Sequence, residues 1–99
     1  MKEKIVILGA GESGTGAALL AKAKGYDVFV SDSGPIKDKY KAELVGEKIA
    51  FEENGHSGEK IMDARLIIKS PGIPDKAWIM KQVALVNIPV VDEIGRAHV

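Results

Sequence analysis

The chain alternates short apolar runs with segments of helical spacing. Lys4–Leu8 (KIVIL) is β-branched and nearly all apolar, the pattern of a strand covered on both faces. Ser13–Lys24 is rich in alanine and leucine at helical spacing and small enough to lie close against a sheet, with Gly25 as its C-terminal stop. Asp27–Ser31 (DVFVS) predicts a second strand. The turn cluster Ser33-Gly34-Pro35 follows, then a short helix over Lys37–Val45. Lys48–Glu52 predicts a short third strand and Ser57–Met62 a helical turn. Ala64–Lys69 (ARLIIK) predicts a fourth strand, which Ser70-Pro71-Gly72-Ile73-Pro74 breaks sharply. Asp75–Val86 predicts a helix with Asp75 near its start, and Pro89–Val91 opens a last strand.

Strand and helix alternating in this way imply right-handed βαβ crossovers and a parallel sheet. The expected fold is α/β, a Rossmann-like doubly wound sheet of five parallel strands in order 3-2-1-4-5 with helices on both faces. One domain over residues 1–94 accounts for the 99-residue length, and Gly95–Val99 (GRAHV) reads as a tail that is neither strand nor core.

Composition narrows the function classes. Fourteen Lys and Arg balance fourteen Asp and Glu, so no electrostatic footprint for nucleic acid or an anionic membrane is expected. The absence of cysteine removes disulfides, thiolate zinc sites and cysteine nucleophiles together. No apolar run approaches the ~20 residues that span a bilayer. No secretory leader is legible at the start of the chain, and a cytoplasmic protein is expected.

Chemistry concentrates in two loops. The first holds Gly9, Gly11 and Gly14 in G-x-G-x-x-G spacing between a strand and a helix. The first glycine permits the tight turn, the second lets a ligand approach the backbone, and the third lets the helix pack near the strand. Free N–H groups at the helix start, around Glu12 to Thr15, then point at an anion, usually a diphosphate. Glu12 itself should face solvent, tolerated there by the helix dipole. Asp32, at the end of the second strand, can accept hydrogen bonds either from ribose hydroxyls or from a nucleobase N–H. The glycine spacing Gly11 to Gly16 is followed by Ala17 and Ala18, so a Walker loop with its lysine and hydroxyl is lacking.

The second loop is Ser70–Pro74. Ligands of doubly wound sheets bind beyond the carboxyl ends of the strands, where strand order reverses. With strands one and four flanking that point, the two loops should face each other across one crevice. Gly72 would allow close backbone approach and the prolines would stiffen it; a plain rigid turn is the alternative.

The combination GAGESG, VSDS, DARLIIKSPGIP and IPVVDEI, spanning about Lys4 to Ile94, resembles the N-terminal domain of the Mur ligases. Among them it is most similar to the branch that adds D-glutamate. The glycine loop is shared with many Rossmann-like proteins, whereas SPGIP at this position is the more specific signal. The resemblance implies the first of three domains, the one holding UDP-N-acetylmuramoyl-L-alanine. ATP and magnesium would belong to the central domain, and the last domain would help bind the amino acid. It implies an acyl-phosphate made from the substrate carboxylate and ATP, attacked by the amine of D-glutamate to give an amide in bacterial peptidoglycan synthesis. This domain alone would carry no catalytic residue, no metal and no cofactor.

Position by position, the resemblance matches Gly11, Glu12, Ser13 and Gly14 to the loop meeting the diphosphate. It matches Asp32 and Ser33 to the pair beside the uracil, and Ser70, Pro71 and Gly72 to the opposite side of the nucleotide. Gly34 stands where some members carry a basic residue, and Lys37 is near enough in sequence to replace it. GRAHV replaces the acidic helical continuation of the family.

Two other classes fit part of the pattern: a nicotinamide-binding domain of a dehydrogenase or channel regulator, and a Rossmann-like interaction module that binds nothing. His56, in the loop EENGHSGEK, and His98, in the tail, read as solvated residues without clustered partners. Trp78 reads as a packing or partly exposed residue, and Lys37–Lys41 as a solvated helix face.

Overall fold

The computed structural model describes residues 2–74 and 77–92. Five strands, β1 (Lys4–Leu8), β2 (Asp27–Ser31), β3 (Ala50–Glu52), β4 (Leu66–Lys69) and β5 (Val90–Asp92), form one sheet in the order β3-β2-β1-β4-β5. All four pairings are parallel. The helices are α1 (Glu12–Ala23), α2 (Asp38–Gly46), α3 (Gly58–Ile61) and α4 (Trp78–Leu85). The expected strand order is therefore the observed one.

Alternation along the strands divides the core. Ile5, Ile7, Val28 and Val30 pack with Ala18 and Ala21 of α1 and Leu44 of α2. Val6, Leu8, Phe29 and Ile67 pack with Ile61 of α3 and Ile79 and Val83 of α4. Each such fully buried aliphatic side chain contributes about 1.5–3 kcal/mol of transfer free energy. The buried stripe of α1 is Gly14, Thr15, Ala18 and Ala21, all small, which is what brings its axis close to the sheet.

The helix ends explain where the elements depart from the sequence pattern. Gly25, at φ +93°, ends α1 as expected: its N–H reaches Lys22 O, and Tyr26 N–H reaches Ala21 O. The same pair of bonds ends α2, from Lys48 to Val45 and from Ile49 to Leu44, with Lys48 at φ +57°. Lys48 is thus spent on a helix terminus, and the third strand starts at Ala50 rather than Lys48. Strand β4 starts at Leu66, after Arg65 N–H has bonded Lys4 O. Helix α4 begins at Trp78; the expected start at Asp75 lies outside the described residues, as do Ile94, the tail Gly95–Val99 and its His98.

Candidate functional site

The carboxyl ends of the strands form one register row, Glu52–Ser31–Leu8–Lys69–Asp92. The loops that follow meet above it. Gly9 takes φ +100°, and a Cβ built there would lie 2.6 Å from Ser70 Cβ. Ser70 N–H donates to Leu8 O at 2.8 Å, and Gly9 N–H donates to Ser31 O at 2.8 Å. The glycine loop and the SPGIP loop therefore sit side by side at the point where the strand order reverses.

Gly11 is the N-cap of α1 and has no side chain with which to cap it. Thr15 N–H donates to Gly11 O at 2.9 Å and closes the first turn. The expected anion-facing set, Glu12 to Thr15, is thereby shortened: the N–H groups of Glu12, Ser13 and Gly14 precede the helical ladder, and that of Thr15 is used. Glu12 and Ser13 are exposed, as the sequence suggested for Glu12. Thr15 itself is fully buried, and its hydroxyl donates to Ala10 O at 3.3 Å, tying the helix to the turn.

Asp32 does more than wait for a ligand. Its Oδ2 accepts from Ala10 N–H at 2.8 Å and its Oδ1 from Gly34 N–H at 2.9 Å. One carboxylate thus holds the glycine turn and the loop after β2 in fixed relation. Ser33 is exposed beside it, and Lys37 is exposed at the N-cap of α2. On the other side, Pro71 and Gly72 are exposed and Ser70 is half-buried, its Oγ accepting from Gly72 N–H at 3.4 Å. Lys69, only 4% exposed, reaches back so that Nζ donates to Ile73 O at 2.8 Å. The nine expected ligand residues therefore lie at the carboxyl ends of β1, β2 and β4, on the loops that follow them and in the first turn of α1.

Two residues read as solvated are not. His56 is half-buried, and its Nδ1 lies 2.6 Å from Ser31 Oγ. Ser31, fully buried, also donates to Glu52 Oε2 at 2.7 Å. Glu52 further accepts from Ser57 N–H at 2.7 Å and from Ser57 Oγ at 2.6 Å. Burial opposes the charge on Glu52, but these donors outweigh it and hold the carboxyl below the ordinary value of 4.5. Burial pushes His56 below 6.5, against the raising influence of Glu52 and Asp32. Lys41 departs from the solvated face: its Nζ is 3.0 Å from Glu53 Oε2, while Glu53 Oε1 accepts from Ile36 N–H. Trp78 is 54% exposed, with its ring centroid 6.2 Å from that of His56.

Among the described residues no group of three or more His, Cys, Asp or Glu could hold a metal, and no helix is long and apolar enough to cross a membrane. An apolar groove lined by Leu20, Leu66, Ile68 and Val91 runs beside α1 and reaches Ser13 at the start of that helix.

A doubly wound sheet whose reversal point carries an uncapped glycine turn defines a Rossmann-like domain. The family model described as the MurD N-terminal domain matches residues 4–78, and the chain belongs to that family. It is 60% identical over 98 residues to the UDP-N-acetylmuramoylalanine–D-glutamate ligase of Cytophaga hutchinsonii, covering 99% of this chain and 22% of that relative. The chain thus spans about a fifth of the length of the curated relatives it matches. Among solved structures, a pseudomurein peptide ligase type C from Methanothermus fervidus superposes with TM-score 0.80 at 26% identity, over 92% of this chain and 19% of that one. The UDP-N-acetylmuramate-alanine ligase MurC of Thermotoga maritima, 24% identical, shares the fold with TM-score 0.79 over 92% of this chain and 21% of its own. The match places the chain with the ligases rather than with the nicotinamide-binding domains.

Proposed function

We propose that residues 1–94 form the UDP-muramoyl-binding domain of an ATP-dependent ligase that joins D-glutamate to UDP-N-acetylmuramoyl-L-alanine in cytoplasmic peptidoglycan synthesis. The observation that carries this reading is the approach of Gly9 to Ser70, which sets the uncapped start of α1 beside SPGIP. The N–H groups of Glu12, Ser13 and Gly14, with Gly11 open to approach and the Ser13 hydroxyl adjacent, suit a diphosphate. Asp32 and Ser33 would border the uracil, and Ser70, Pro71 and Gly72 its opposite side.

ATP and magnesium do not fit this chain's own residues. Ala17 and Ala18 stand where a Walker loop needs lysine and a hydroxyl, and no metal-ligating cluster occurs among the described residues. Activation of the substrate carboxylate is therefore assigned to further domains of the parent enzyme. The work of this domain is to hold the nucleotide and orient the substrate.

Titration with UDP-N-acetylmuramoyl-L-alanine should shift the amide signals of Gly11–Gly14, Asp32, Ser33, Ser70 and Gly72, while NADH leaves them in place. NADH binding there without uridine binding would overturn the reading.

A further inference from the structure

The polar network at the end of β2 goes beyond what the fold requires. Ser31 lies in the register row between Leu8 on one side and Glu52 on the other. Its Oγ meets Glu52 Oε2 at 2.7 Å and His56 Nδ1 at 2.6 Å. An ionised carboxylate only accepts, so the single hydroxyl hydrogen of Ser31 is directed at Glu52. Ser31 Oγ then accepts from His56, and Nδ1 must carry a proton. In the neutral ring this leaves Nε2 as a lone-pair acceptor.

The loop that carries this imidazole adjoins the candidate site. The loop carrying His56 is laced onto the loop carrying Asp32: Gly55 N–H donates to Asp32 O at 3.1 Å and Asn54 N–H to Gly34 O at 2.9 Å. On its other side the imidazole meets the Trp78 ring of α4, tilted by 57°. Helix α4 packs through Ile79 and Val83 against Val6 and Leu8 of β1 and Ile67 of β4, so the His56–Trp78 contact joins the loop after β3 to the first residue of the helix that follows the SPGIP loop. Asp32, meanwhile, already has one backbone N–H on each oxygen. A base seated between these loops needs an acceptor for its N–H, and an imidazole of fixed tautomer supplies one.

We propose that His56 is a specificity-determining residue of the nucleotide site, its Nε2 accepting a hydrogen bond from the N3–H of a uracil base. The inference rests on the reading of this domain as a UDP binder. Glu52 and Ser31 are positioning residues: they hold the tautomer and the ring without touching the ligand.

The test uses the 99-residue chain with His98→Gln, so that His56 is the sole imidazole. Long-range ¹⁵N–¹H spectra should show Nδ1 protonated and Nε2 bare, and adding UDP should move the Nε2 resonance upfield. His56→Asn keeps a donor for Ser31 but has no atom in place of Nε2. It should bind UDP several-fold to about tenfold more weakly, the scale of one hydrogen bond, and bind inorganic pyrophosphate unchanged. An Nε2 signal unmoved by bound UDP, equal UDP affinity in the variant, or equal loss of pyrophosphate would each overturn the inference while leaving UDP binding intact. Absence of UDP binding by the His98→Gln chain, with NADH bound instead, would remove the underlying reading and the inference with it.

Discussion

A Cβ on residue 9 would fall 2.6 Å from the Cβ of Ser70, so the backbone of Gly9 and the first residue of SPGIP are in direct apposition. The two loops that carry most of the candidate ligand residues are locked at this point, which requires a glycine twice over: for φ +100° and for space. Gly9→Ala should therefore lower unfolding stability by about 2–4 kcal/mol, combining positive-φ strain with overpacking. Urea denaturation measures it, and Gly11→Ala serves as the comparison, since a Cβ there meets nothing within 4 Å.

Asp32 couples the glycine turn to the loop after β2 through Ala10 N–H and Gly34 N–H. Asp32→Ala removes the acceptor of both and should cost about 1–3 kcal/mol. Hydrogen exchange should accelerate at the Ala10 and Gly34 amides well before it does in the centre of β1.

Lys69 holds the SPGIP loop from beneath by donating to Ile73 O. Lys69→Met retains much of the buried aliphatic stem and removes the ammonium. Stability should fall by about 1–3 kcal/mol through the stranded carbonyl. The local signature is altered amide shifts over Ser70–Ile73 with those of α2 unchanged.

Acid should weaken the domain in two stages. His56 has a folded value below 6.5, so the unfolded chain binds its proton first, and its contribution, complete above 6.5, is lost as pH falls through the folded value. Glu52, held below 4.5, contributes fully above 4.5 and loses that contribution as pH falls further, with Glu53 acting in the same direction. Unfolding free energy measured against pH should lose its upper step in His56→Asn. Glu52→Gln should flatten the lower one.

Much of this was legible along the chain because the signals are local. The KIVIL run, the small face of α1 and the glycine at position 25 each report the burial or backbone angle of their own segment. Strand alternation with helices then admits few topologies, and order 3-2-1-4-5 followed. The same logic failed at Lys48, where a lysine took the left-handed angle usually given to glycine. Composition does not reveal such a substitution, and β3 is two residues shorter than its apolar pattern predicts.

The sequence by itself determined the doubly wound sheet, the place where its order reverses and the two loops that border that place. Tertiary structure decided what the polar side chains there do. Asp32 is a strut between two loops, Lys69 a brace under SPGIP, and His56 the outer member of a chain running through Ser31 to Glu52. The physical reason is range. Hydrophobic period and turn chemistry act over a few residues. Hydrogen-bond partners such as Ser31 and Glu52 are set by strand register, which brings together groups that the local pattern treats as strangers.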